Sequence, residues 1–124
     1  MSRTPPARAW VGLIELLLAV AGAGEWWREH RNQQLGRELA RLARPGDIEM
    51  ISSTHCVFCT RARQFMTLQR VPFSECFIET DTACARRYQA LGERGTPMLL
   101  VRGQPQLGFS AERVRDRLAA TTGS

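Results

Sequence analysis

Short apolar segments separated by polar and glycine-containing turns predict alternating strands and helices after residue 46. A strand shows its apolar side chains in a short run or on a period of two, whereas an amphipathic helix spaces them three and four residues apart. On this basis strands are predicted at 49–51, 75–78 and 98–101, and helices at 60–70, after Asp81 and after Ser110. Asp81 and Ser110 are of the residue types that cap helix starts. The pattern therefore predicts an α/β domain.

The beginning of the chain has a different pattern, a nearly uninterrupted apolar run from Trp10 to Gly24 that is followed by Glu25-Trp26-Trp27. Trp10 and Trp26 bracket this run as interfacial aromatic residues do. A helix between them is roughly 24 Å long at ~1.5 Å per residue, slightly less than a ~30 Å hydrocarbon core. Glu15 interrupts the run, and its carboxyl group is tolerated in lipid only when protonated, paired or close to an interface.

Three interpretations of this run compete. We predict a membrane anchor at residues 10–27, placed in an inner membrane of the bacterial type. The arginines that follow the run favour a cytoplasmic position for the rest of the chain, although the membrane side stays open. The alternatives are a cleaved secretory signal and an amphipathic helix that lies on a membrane or on the domain itself, the second of which allows a soluble cytoplasmic protein.

A helical segment and a break follow the apolar run. Leu35, Leu39 and Leu42 lie at helical spacing within 28–43, which predicts a helical stalk. Pro45 and Gly46 end this pattern, as both residues do at helix termini. We therefore predict two parts, an anchor helix with its stalk at 1–45 and the α/β domain at 46–124.

Composition and charge narrow the range of functions. The chain has 124 residues, 44% of them hydrophobic, which suits one small domain with an appendage. All 17 basic residues are arginine and the net charge is +5, but the arginines are spread over the whole chain. Nucleic-acid binding usually requires a basic stripe or patch. The charge pattern therefore does not favour a nucleic acid as partner.

The sequence Cys56-Val57-Phe58-Cys59 carries the clearest chemistry, because it falls between a predicted strand and a predicted helix. Unpaired N–H groups and the positive end of the dipole at a helix start stabilise a thiolate, so Cys56 is predicted to be the attacking sulfur. Cys59, one turn later and more buried, is predicted to resolve the mixed disulfide. Arg61 and Arg63 add positive charge to the first turns unless they point into solvent.

The same C-x-x-C pair is half of a zinc site, which is the first alternative. Cys76 and Cys84 are separated by eight positions and do not repeat the two-residue spacing of a zinc knuckle. Cys76 is predicted to be a small buried residue, and Cys84 to lie in the first turn of a helix, where a thiol is acidified and exposed. Free thiols, a second disulfide and redox regulation at Cys84 alone all stay open.

A second motif, Gly95-Thr96-Pro97, stands before the apolar run 98–101. Together with the element order and the C-x-x-C pair, it resembles the glutaredoxin family from about Asp47 to Ala120. The resemblance implies a thioredoxin-like three-layer fold with a small mixed central sheet. It also implies that Thr96-Pro97 is a cis-proline loop that pairs with substrate backbone, and that Gly108-Phe109 is the glycine–aromatic pair after the last strand.

The resemblance implies a dithiol–disulfide oxidoreductase that uses Cys56 and Cys59, without a metal or organic cofactor and with glutathione as co-substrate. Its expected partners are disulfide-containing proteins or glutathione, with glutathione or thioredoxin reductase as the reductant. The substrate-binding residues that it implies are Val57, Phe58, Thr96, Pro97, Gly108, Phe109 and Ser110.

Several positions depart from the glutathione-using members that the chain resembles. Ser110-Ala111 replaces two aspartates, Ser53 replaces a lysine, and Val57-Phe58 replaces proline and tyrosine. The run 108–110 is similar to redoxins that donate electrons to ribonucleotide reductase and are recharged by thioredoxin reductase. The alternatives to a glutathione-linked oxidoreductase are therefore such a redoxin, or a binding module that holds an iron–sulfur cluster or zinc with the same cysteines.

Overall fold

The structure, a computed structural model, describes Arg3 and residues 6–122, apart from the side chain of Thr122. Residues 1, 2, 4, 5, 123 and 124, which the predicted domain limits include, lie outside the described residues. The elements are α1 Ala7–Leu42, β1 Ile48–Ser52, α2 Val57–Leu68, β2 Ser74–Phe77, α3 Thr82–Ala90, β3 Met98–Val101, β4 Gln104–Leu107 and α4 Ala111–Thr122.

The four strands form one mixed sheet in the order β2-β1-β3-β4. Strands β1 and β2 run parallel and are joined through α2, whereas β3 lies antiparallel to both β1 and β4. Ile51 pairs with Cys76 on one side and with Met98 on the other. The predicted α/β architecture with a small mixed central sheet is therefore confirmed.

The side chains of the strands contribute to two separate hydrophobic cores, because successive residues of a strand point to opposite faces of the sheet. One face packs against α2, α4 and the end of α1, and the other packs against α3. The first core contains Leu39, Ala43, Ile48, Met50, Ala62, Met66, Val71, Leu99, Val101, Val114 and Leu118. The second is smaller and contains Ile51, Cys84 and Met98, with Tyr88 and Leu91 packed against it. Helices on both faces of the sheet make the three layers.

Helix α1 belongs to two compact units, which divide after Gln33. In the second unit, the last turns of α1 bury Leu35, Gly36 and Leu39. A side chain at Gly36 would overlap with Gln69, whose side chain packs over the glycine. The predicted stalk is thus helical, and its last turns form part of the core of the second unit. The domain limit at 45 and 46 stays a prediction.

In the first unit, α1 exposes its apolar side chains along the predicted anchor. Ala7–Leu42 includes a stretch that is long and apolar enough to cross a membrane, a test that signal sequences also pass. Near its polar end, the His30 ring stacks on Trp26 with 5.4 Å between the ring centroids. The structure therefore supports helicity here, and membrane insertion stays a prediction.

Arg102, in the turn between β3 and β4, connects the ends of three elements. Its guanidinium donates to Thr121 Oγ1 and to the Leu118 carbonyl of α4, and it lies 3.3 Å from Asp47 Oδ2. Asp47 also accepts a hydrogen bond from the Arg44 N–H, which is the main reason that the pKa of Asp47 lies below its usual value. This network fixes the start of β1 against the end of α4.

Candidate active site

Cys56 is the residue that caps the start of α2, as its predicted position requires. Its backbone is extended, with φ −128° and ψ 106°, and its Sγ accepts a hydrogen bond from the Cys59 N–H at 3.0 Å. The two cysteines form a disulfide with 5.2 Å between their Cα atoms. Cys59 is fully buried, whereas Cys56 is half-buried and so remains open to an incoming sulfur. This asymmetry allows one sulfur to meet a substrate while the other stays within the protein.

The loop before Cys56 is held by Glu79, a residue that the sequence analysis did not identify. Ser53 donates its hydroxyl hydrogen to Glu79, and the Thr54 N–H donates to Glu79 Oε2 at 3.2 Å. The Ser53 hydrogen bond is the largest cause of the lowered pKa of Glu79. His55 is exposed. The carboxylate thus fixes the backbone that leads into the active-site turn, and the position of Ser53 is explained by this contact.

Arg63 contacts a carboxylate rather than the sulfurs. Its guanidinium donates to both oxygens of Glu75, at 2.7 and 2.8 Å, and Ser52 donates to the same carboxylate at 2.6 Å. Burial raises the pKa of Glu75, but the Arg63 and Ser52 hydrogen bonds outweigh it and leave the pKa below its usual value. The Glu75 hydrogen bond raises the pKa of Arg63. This network joins α2 to β1 and β2 beneath the active site.

A groove of about 480 Å³ lies beside the active-site helix. It brings together five of the seven predicted substrate-binding residues, namely Phe58, Thr96, Pro97, Gly108 and Phe109. The Thr96–Pro97 peptide bond is cis, and the Gly108 N–H donates to the Pro97 carbonyl at 2.8 Å. This hydrogen bond joins the proline loop to the turn after β4, so that both turns border one groove.

The other two predicted binding residues do not line the groove. Val57 is 65% exposed, and Ser110 accepts a hydrogen bond from the Arg113 N–H at 3.4 Å. The sequence analysis did not identify four lining residues, namely Ala62, Phe65, Leu107 and Arg113, and it considered Arg61 only as positive charge near the active-site turn. Helical spacing from Phe58 reaches Arg61, Ala62 and Phe65, which is a signal in the sequence. Arg113 gave no such signal, because its position depends on how α4 packs.

Cys76 and Cys84 form a second disulfide, with 6.0 Å between their Cα atoms. Asp81 caps α3 and accepts a hydrogen bond from the Cys84 N–H at 3.1 Å, so Cys84 lies in the first helical turn as predicted. The predicted exposure of its sulfur is wrong, because Cys84 is fully buried against Ile51 and Met98. Cys76, predicted to be buried, is partly exposed. A bridged, buried Cys84 does not suit a sensor that reacts directly with oxidants.

A mixed sheet of this topology, with a cysteine pair at the start of α2 and a cis-proline loop that shares a groove with that helix, is typical of thioredoxin-like dithiol–disulfide domains. Residues 48–105 match the glutaredoxin family model. This segment therefore matches a glutaredoxin domain, and its Cys56–Cys59 pair supports thiol–disulfide oxidoreductase chemistry.

The solved structures that it resembles share the fold. A mutant form of a thioredoxin-like protein is 23% identical with a TM-score of 0.53, and the match covers 60% of this chain and 96% of that chain. The glutaredoxin from Methanosarcina mazei is 16% identical with a TM-score of 0.50, covering 59% and 78% respectively. No curated protein matches this chain.

Proposed function

We propose that the domain reduces disulfides of proteins, or their mixed disulfides with glutathione, with Cys56 as nucleophile and Cys59 as resolving thiol. The observation that carries the proposal is the difference in access between the two sulfurs, since Cys59 is fully buried and Cys56 is not. The start of α2 supplies the N–H groups that stabilise a thiolate at Cys56.

In the proposed cycle, the Cys56 thiolate attacks one sulfur of the substrate disulfide and expels the other as a thiolate. Cys59 loses its proton and displaces the substrate sulfur from Cys56, which forms the Cys56–Cys59 disulfide. Two electrons pass to the substrate, which leaves as two thiols after taking up two protons. The two sulfurs carry both electrons, so the cycle uses no resident metal or organic cofactor.

For the reductant we propose glutathione, two molecules of which reopen the Cys56–Cys59 disulfide and leave as glutathione disulfide. The N–H groups at the start of α4 support carboxylate binding there, because helix starts bind anions without charged side chains. Recharging by thioredoxin reductase is the second candidate. It is favoured by Ser110-Ala111, because this pair supplies no carboxylate for the ammonium group of glutathione.

The test is reduction of a small neutral mixed disulfide by the full chain in non-ionic detergent, with either glutathione or thioredoxin reductase as electron donor. We expect turnover with glutathione, and its loss in Cys56→Ser. When no other thiol is present, Cys59→Ser should trap a stable mixed disulfide on Cys56, because the resolving thiol is absent. Turnover with thioredoxin reductase alone would contradict the choice of glutathione, and turnover in Cys56→Ser would contradict the assigned nucleophile.

We also propose that residues 10–27 anchor the domain to a membrane. The length and apolar composition of α1 and the exposure of its apolar side chains support this. The expected result is that the chain sediments with membranes and resists extraction by carbonate at high pH. A variant with Leu13, Leu17 and Val20 replaced by Asp should be released into the soluble fraction, and retention of that variant would contradict an anchor.

A further inference from the structure

The groove beside α2, which Phe58 of the active-site turn helps to line, has an uneven charge distribution. Its lining contains two guanidinium groups, Arg61 and Arg113, and no carboxylate. Across the described part of the chain, neither arginine lies within ion-pair distance of an acidic side chain. A lined groove with unneutralised charge of one sign attracts ligands of the opposite sign and repels those of the same sign.

Arg113 is held in place although it has no acidic partner. Its Nη2 donates to the Leu107 carbonyl at 3.1 Å, and a methyl group at Gly108 would lie 3.7 Å from the same nitrogen. The guanidinium therefore lies across the turn that precedes α4. A guanidinium has five N–H donors, so one hydrogen bond to a carbonyl leaves donors that can bind a carboxylate.

Arg61 lies on the opposite wall, one turn after the exposed Phe58. Its Cζ is 6.0 Å from the centroid of the Phe58 ring, at the outer limit of a cation–π contact. Between the two arginines the groove is apolar, and the Phe65 and Phe109 rings, 5.5 Å apart, join its walls. A ligand that fits this arrangement has an apolar side chain flanked by negative charge.

We propose that the preferred substrate is a protein segment in which the disulfide-bonded cysteine is flanked by an apolar residue and by Asp or Glu side chains. This proposal rests on the proposed disulfide-reductase function and specifies its substrate class. The acidic side chains pair with Arg61 and Arg113 while the apolar residue occupies the groove between them. Segments with lysine or arginine at the same positions are disfavoured, because the lining offers their ammonium or guanidinium groups no carboxylate.

The test uses three synthetic peptides of equal length with a central cysteine, in mixed disulfide with a small neutral thiol. A leucine adjoins the cysteine in each, and the flanking residues are Glu, Lys or Gln. The full chain, pre-reduced and held in non-ionic detergent, reacts once with each peptide, and quenched samples are analysed by mass spectrometry. Each rate is divided by that of a small dithiol with the same peptide, because flanking charges also change the reactivity of the disulfide itself.

An exposed ion pair changes a binding equilibrium by a few-fold. With two arginines in the groove, the corrected reaction rate of the Glu peptide should exceed that of the Lys peptide by about tenfold. Raising the salt to about 1 M, where charges are screened within about 3 Å, should bring the ratio close to one. Equal rates for the three peptides at low salt would overturn the proposal while leaving the reductase function intact. No reaction with any peptide would instead refute the reductase function.

A charge-reversing variant distinguishes specificity from damage to the fold. Arg61→Glu with Arg113→Glu should react faster with the Lys peptide than the unmodified chain does, and a misfolded protein cannot show this gain. The matched control is Arg86→Glu with Arg94→Glu, which makes the same change in net charge at two exposed arginines outside the groove. It should keep the Glu-to-Lys ratio of the unmodified chain. A preference that follows net charge in all variants would refute assignment to Arg61 and Arg113.

Discussion

Removal of the Cys76–Cys84 disulfide should lower the free energy of unfolding by about 3.5 kcal/mol. The bridge closes a loop with a sequence separation of 8, for which the chain-entropy relation gives about 2.5 kcal/mol at 25 °C. Replacement by alanine also deletes a fully buried sulfur at Cys84, similar in size to a methylene group, which costs about 1 kcal/mol more. The variant is Cys76→Ala with Cys84→Ala.

The active-site pair supplies a matched control, because it too joins one fully buried and one half-buried cysteine. Its separation of 3 gives only about 1.6 kcal/mol from loop closure. Cys56→Ala with Cys59→Ala should therefore be less destabilising than the other pair by about 0.9 kcal/mol, since the buried-sulfur contributions cancel.

The assay is urea unfolding of the oxidised full chain in non-ionic detergent, followed by far-UV circular dichroism. A loss below about 1 kcal/mol in the Cys76 and Cys84 variant would refute the argument that this bridge restricts the unfolded chain. The same variant should still reduce a small disulfide, because neither sulfur takes part in the proposed cycle. Loss of turnover in a folded variant would contradict that separation of roles.

Three further changes test the packing. Glu75→Gln should cost about 1–3 kcal/mol at pH 7, because it weakens the hydrogen bonds from Arg63. The folded pKa of Glu75 is lowered, so its contribution is present above the usual pKa and is lost as the pH falls through the folded value. An unchanged acid limb of the stability–pH curve in the variant would contradict this. Gln106→Leu should raise the urea midpoint, since the buried amide has no hydrogen-bond partner among the described protein groups; a lower midpoint would indicate a bridging water. Gly36→Ala should lower the midpoint despite better helix propensity, and adding Gln69→Ala should restore it by removing the overlapping side chain. No recovery in the double variant would refute that overlap.

The parts of the fold that depend on local pattern could be predicted. Strand β1, helix α2 with Cys56 at its start, and the Asp81 cap follow from apolar spacing and capping chemistry within a few residues. Strand β4 carries Gln104, Pro105 and Gln106, which no apolar alternation identifies, and it forms by pairing with β3. The pairing also buries Gln106 opposite Leu99, and no local sequence pattern predicts this burial.

The parts of the site that sequence analysis missed depend on contacts between distant residues. Glu79 holds Ser53 and Thr54 from 25 or 26 positions away, and only the pairing of β1 with β2 brings them together. Burial of Cys84 likewise depends on the packing of α3 against the sheet. The proline loop could be placed near the active-site helix only through the family resemblance, because cysteine spacing does not specify which loop shares a groove with α2.

At the start of α4, Ser110-Ala111 replaces the two aspartates of the glutathione-using members that the chain resembles. This replacement keeps the helix cap and changes the charge at the groove. Ser110 accepts the Arg113 N–H, so the capping contact is made without an aspartate. The Arg113 side chain crosses the preceding turn to the groove lining. In the glutathione-using members that the chain resembles, two aspartates at this helix start are available to the ammonium group of glutathione. In this chain the groove is lined by the guanidinium of Arg113 instead. Ser110→Asp with Ala111→Asp should leave the free energy of unfolding nearly unchanged, because aspartate can accept the same capping hydrogen bond as Ser110. The variant should shift the preferred substrate from mixed disulfides of acidic peptides towards mixed disulfides of glutathione. Unchanged preference in that folded variant would refute the link between these residues and substrate charge.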